Sequence, residues 1–141
     1  MRARDPEIDG VDTDGMQAYL SGTEVVFAVL FGSRATGDAT DASDVDIALR
    51  FPGRLDAHER FRRRNRIDAE LQTYADGFVD VSDIVTLPTP VARAALHDGV
   101  RLVGDETEVA AYHERVDREY ESTTAERGQD ELIRRLADGD A

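Results

Sequence analysis

The chain has no cysteine, no tryptophan and, among its 17 basic residues, no lysine. Without cysteine there is neither a disulfide framework nor a thiolate metal site, and a secreted scaffold is excluded. Every basic residue is arginine, set against 30 acidic ones, for a net charge of −13. A surface of that sign repels polyanions, which excludes non-specific nucleic-acid binding as a general role. The same surface suits a salty cytoplasm, where carboxylates stay hydrated and their repulsion is screened. Long apolar runs are missing as well: the longest, Val25 to Phe31, is far short of a membrane span. The opening MRARDPEIDG has no apolar stretch of the kind a signal peptide carries. The expected location is the cytoplasm, with no membrane partner. A length of 141 residues, 40% of them hydrophobic, predicts one domain over 1–141, with residues 1–10 and the last few flexible.

What is present alternates between two periods. Asp12 to Leu20 predicts a short helix capped by Asp12 or Thr13, and Glu24 to Phe31 a buried strand rich in valine and phenylalanine. Gly32 to Ser43 reads as loop. From Asp44 to Phe51 charged and apolar residues alternate, the two-residue period of a strand with one polar face. Leu55 to Ala75 predicts a helix, with Ile67, Leu71 and Tyr74 in its apolar stripe and Gly77 closing it. Phe78 to Leu87 predicts a third strand, ended by Pro88 and Pro90, which open a helix from about Val91 to His97. Val100 to Val103 makes a short strand. A last helix starts near Glu106, with Val109, His113, Val116 and Tyr120 on one face, and Gly128 is expected to interrupt it. The fold class is α/β or α+β: a small mixed sheet covered by helices.

The chemistry gathers at the first strand end and the second strand. Side chains two apart on a strand share a face, so Asp44 and Asp46 look onto one site. Two neighbouring carboxylates raise each other's pKa and need a cation to stay ionised. With oxygen donors and no adjacent His or Cys, that cation is Mg²⁺ or Mn²⁺. Of the two aspartates on the third strand, Asp80, between Val79 and Val81, is expected to complete the site; Asp83 is expected to face solvent or cap a loop. Gly32 and Ser33 end the first strand, where glycine lets a bulky anion approach and amides and a hydroxyl suit phosphate oxygens. A phosphate cradle beside a carboxylate metal site is what transfer from a nucleoside triphosphate requires.

Gly32-Ser33, ten residues, then Asp44-Val45-Asp46 resembles the nucleotidyltransferase superfamily that includes DNA polymerase β; Arg34, Gly37 and Ser43 agree with that pattern and Val79-Asp80-Val81 matches its third carboxylate. One departure is Thr36, where many relatives carry a basic residue. The whole chain is similar to minimal nucleotidyltransferase (MNT) antitoxins that pair with HEPN-domain toxins. That resemblance implies transfer of AMP from Mg-ATP to a tyrosine of a HEPN ribonuclease, which silences it. It implies metal ligation and catalysis by Asp44, Asp46 and Asp80, and nucleotide-phosphate binding by Gly32, Ser33, Arg34 and Ser43. Two rivals stand beside it. One is an aminoglycoside-type enzyme with a small-molecule acceptor, for which 141 residues leave little room for an acceptor domain. The other is a non-catalytic antitoxin that masks its partner, against which the intact carboxylates argue.

Other features have plainer readings. The run ERFRRRNR, Glu59 to Arg66, is either a docking surface for an acidic or RNA-bearing partner or a helix face paired with local acids. His58, His97 and His113 are too scattered in sequence to form a cluster, and Tyr112 and Tyr120 are expected to pack the last helix.

Overall fold

A computed structural model of the chain describes residue 8, residues 10–32 and residues 45–137, with side chains to residue 123. The first helix, α1 (Thr13–Ser21), is capped by Asp12, whose carboxylate accepts from the Gly15 amide at 2.9 Å, and it buries Met16 and Leu20. Strands β1 (Phe27–Phe31) and β2 (Val45–Arg50) follow. Helix α2 (Ala57–Leu71) starts at Asp56, which accepts from the Glu59 amide at 2.8 Å, and it runs into a 3₁₀ turn at Gln72–Tyr74. Then come β3 (Val79–Asp83), a 3₁₀ turn at Ile84–Thr86, α3 (Thr89–Asp98), β4 (Val100–Gly104) and α4 (Glu106–Ala137).

The four strands form one sheet in the order β3-β2-β1-β4. Strand β1 is antiparallel to both its neighbours, whereas β2 and β3 run parallel, so the sheet is mixed as expected. Alternation sends Val45, Ile47 and Leu49 of β2, with Val79 and Val81 of β3, to the face covered by α1 and α2, against Met16, Leu20, Ile67 and Leu71. The opposite face packs Phe27, Val29 and Ala48 against Ala92 and Leu96 of α3 and Val109 and Val116 of α4. Tyr112 meets Phe27 edge-on at 5.8 Å, and Arg93 lies 4.6 Å over Tyr120, so both tyrosines pack the last helix. Burial, more than the nearby arginines offset, pushes the Tyr112 phenol above its ordinary pKa.

Several boundaries differ from the sequence reading. β1 begins at Phe27; just before it the Val26 amide still donates to the Arg50 carbonyl at 2.7 Å, while Glu24 pairs with Arg54 and with Arg63 at 2.8 Å. β3 stops at Asp83, whose carboxylate accepts from the Val85 amide at 3.3 Å and caps a 3₁₀ turn where an extended strand was expected. α3 starts two residues early, at Thr89, since Pro90 fits a first turn that needs no amide donor. α4 continues through Gly128, because one interior glycine costs a helix only about 1 kcal/mol relative to alanine. His97 and His113, far apart in sequence, meet edge-on at 6.0 Å across α3 and α4. Of the segments expected to be flexible, residues 1–7, 9 and 138–141 lie outside the described residues, while Ile8 packs on the core and Gly10 accepts from the Asp76 amide at 2.9 Å. Among the described residues no helix is long and apolar enough to cross a membrane.

Candidate active site

Three of the expected site residues, Gly32, Asp46 and Asp80, fall within the described structure; Ser33, Arg34, Ser43 and Asp44, with Thr36 and Gly37, lie outside the described residues. Gly32 follows the last residue of β1 with φ +89°, the left-handed region that favours glycine. A Cβ there would overlap the Asp46 carboxylate. The backbone conformation therefore favours glycine, and the close approach places the end of β1 against the Asp46 side chain.

Strand pairing supplies the second contact. Asp46 stands opposite Phe31 of β1 on one side and opposite Asp80 of β3 on the other. Neighbouring strands lie about 4.8 Å apart, so in-register carboxylates on one face share one site. Val45 and Val79, the residues before them, are buried on the opposite face, which fixes the direction in which both aspartates point. Asp80 is exposed. Two like charges held side by side by a sheet repel unless a cation stands between them. Among the described residues no three metal-ligating side chains come together. The described pair is all oxygen, a donor set that fits a hard divalent ion and gives no foothold to a soft one.

Asp83 fares differently. It is 5% exposed, held by Arg60 at 2.8 Å, so the expectation of a solvent-facing group fails while the loop-capping one is met. The reason is parity: three residues from Asp80, it points to the helix-covered face. Phe78, in contrast, is 61% exposed, and its carbonyl accepts from the Val45 amide at 2.9 Å, extending the ladder that carries Asp80.

Residues 16–108, well over half the chain, match the family described as Polymerase beta, Nucleotidyltransferase. The chain belongs to this nucleotidyltransferase family. Its fold is that of a chain in the crystal structure of a toxin-antitoxin with AMP-PNP: the two are 22% identical, with a TM-score of 0.64 over 86% of this chain and 97% of that one. A chain from the complex of tri-AMPylated Shewanella oneidensis HEPN toxin with MNT antitoxin is 19% identical, with a TM-score of 0.59 over 86% of this chain and 98% of that one. The MntA-HepT toxin-antitoxin crystal structure gives a TM-score of 0.58 at 19% identity, over 86% and 95%. Among curated protein sequences none matches the chain. As a nucleotidyltransferase it is an enzyme that takes a nucleotide substrate.

The arginine run separates into parts. Arg60 binds Asp83, Arg63 binds Glu24 and Arg64 binds Asp68, while Arg62 and Arg66 with Glu59 and Arg63 line an open cleft of about 410 Å³. Arg64 pairs with a local acid, Asp68, as one reading of the run expected; the sequence reading missed that Arg64 and Gln72 also hydrogen-bond the outer edge of β3, with Asp68 joining them. The available signal was their spacing of four along one helix, which puts them on one side.

Proposed function

We propose that this nucleotidyltransferase is an antitoxin that transfers AMP from Mg-ATP to a hydroxyl of a protein partner, a tyrosine of a HEPN-domain toxin, and so silences it. The observation that carries the reading is the β2–β3 register, which sets Asp80 beside Asp46, with Gly32 closing on Asp46 from the other side. Sheet order then reads as reaction order. Gly32 after β1, with Ser33 next to it in sequence, receives the β- and γ-phosphates, helped by Arg34 and Ser43; Asp46 on β2, together with Asp44, serves the α-phosphate through the metal; Asp80 on the edge strand faces the acceptor. Asp44, Asp46 and Asp80 are the ligands for Mg²⁺ or Mn²⁺, which when bound neutralises phosphate charge and aligns the reacting oxygens.

In the reaction the acceptor oxygen forms a bond to the α-phosphorus as the bond from that phosphorus to the bridging oxygen breaks. The hydroxyl proton passes to Asp80 and pyrophosphate leaves. Exposed Phe78, two residues before Asp80 on the same ladder, offers an apolar surface on the acceptor's side. That favours a protein acceptor over a polar sugar. The chain acts as one domain in the cytoplasm, where ATP and such a toxin meet.

The test is transfer of labelled AMP from ATP to a HEPN protein, with melting followed in parallel. Mg-ATP should raise the melting temperature and ATP with chelator should do so far less. Equal shifts with and without metal, or label appearing on aminoglycosides in place of protein, would overturn the reading.

A further inference from the structure

Asp80 lies on an edge strand, and an edge strand has nothing on its outer side to hold its register. Here the outer side is occupied. The Gln72 side-chain amide acts as a substitute strand: its Oε1 accepts from the Val79 amide at 3.0 Å and its Nε2 donates to the Val79 carbonyl at 2.6 Å. Two residues on, Arg64 Nη1 donates to the Val81 carbonyl at 2.7 Å. Asp68 joins the two, accepting from Gln72 Nε2 at 2.5 Å and from Arg64 Nη1 at 3.2 Å. Residues 64, 68 and 72 are four apart, so one side of α2 and its 3₁₀ extension grips the residues immediately before and after Asp80.

We propose that Gln72 and Arg64, tied together by Asp68, are positioning residues that fix Asp80 opposite Asp46; this rests on the reading of Asp80 as the acceptor-side carboxylate. None of the three touches the reacting groups. They act on the backbone on either side of Asp80, and a strand that frays or slips by one residue turns every side chain to the wrong face.

A double-mutant cycle separates positioning from general support. Gln72→Met keeps length and removes all three hydrogen bonds. In the wild-type background it should slow labelled AMP transfer at least ~10-fold, while in an Asp80→Asn background it should slow the residual transfer no more than ~2-fold, with the Mg-ATP melting shift kept throughout. Equal losses in both backgrounds would mean that Gln72 only supports the fold, and undiminished transfer by Gln72→Met would mean that Asp80 needs no such clamp; either overturns the proposal. If Gln72→Met does not fold, Arg64→Met, which leaves the Gln72 pairing with Val79 in place and frees the Val81 carbonyl, Asp68 and the Asn65 side chain, goes through the same cycle with the same criteria. Asp80→Asn alone at wild-type speed, or a wild type that transfers no AMP, would instead remove the underlying assignment and the proposal with it.

Discussion

The face of the sheet under α1 and α2 and the face that carries Asp46 and Asp80 both hold carboxylates, on different terms. On the covered face Asp83 is buried and matched: Arg60 binds one oxygen, the Val85 amide binds the other, and Arg60 Nη1 also donates to the Leu55 carbonyl at 2.9 Å. On the other face two aspartates are set against each other in register, with a glycine pressed close. A protein shaped by stability alone would separate them, since like charges directly opposite on a sheet are destabilising. The difference is the one expected if Asp83 serves the fold while Asp46 and Asp80 serve a ligand that brings its own positive charge.

Substitutions should break the two faces in different currencies. The largest effect belongs to the face that carries Asp46: Asp44→Asn with Asp46→Asn should abolish transfer of labelled AMP while leaving the apo protein as stable or more so, by relief of repulsion. Retained labelling would place the active site elsewhere. Asp80→Asn should still bind Mg-ATP through Asp44 and Asp46, seen as a melting shift that persists, yet label its partner at least ~100-fold more slowly, because a positioned proton acceptor acts on the transition state. On the covered face Arg60→Ala should leave Asp83 buried without its partner and cost about 3 kcal/mol in denaturant unfolding. The folded fraction should still transfer AMP. Gly32→Ala lies between, costing roughly 1–2 kcal/mol for a left-handed residue and weakening Mg-ATP binding as the methyl displaces Asp46.

The smallest effect is at the surface and depends on pH. The Arg63 hydrogen bond holds Glu24 below its ordinary value of 4.5, aided by Arg54. A depressed carboxylate contributes stability that is present above its unfolded pKa and lost as pH falls through the folded one. Glu24→Gln should therefore match wild type in melting temperature below that acidic range and fall slightly under it near neutrality.

Much of this was legible in the sequence because it rests on period. Val45, Ile47 and Leu49 alternate with Asp46 and Ala48, which identified β2 and its polar face, and Gly32 at a strand end announced both a turn and a close approach. Asp80 was separable from Asp83 by parity alone, though which of them would be buried was not: that depends on Arg60, 23 residues away in sequence, arriving from α2. The same holds for Gln72 and Arg64. Their partners are backbone atoms of β3, and the hydrogen-bonding needs of an edge strand carry no residue-type signature. Gly128 misled because a local propensity of about 1 kcal/mol is too small to end a helix on its own.

If the paired carboxylates perform a covalent transfer, a HEPN toxin stays modified after this protein has been removed, and the state of the freed toxin tests that transfer directly. The toxin is incubated with the chain and Mg-ATP, freed of it under denaturing conditions, refolded, and assayed for ribonuclease activity alongside mass analysis of its tyrosines. Covalent silencing gives a tyrosine carrying AMP and a toxin that stays inactive, with activity recovered when Asp80→Asn replaces the wild type over the same interval. An unmodified toxin that regains full activity after exposure to the wild-type chain would contradict it and leave masking as the mode of inhibition.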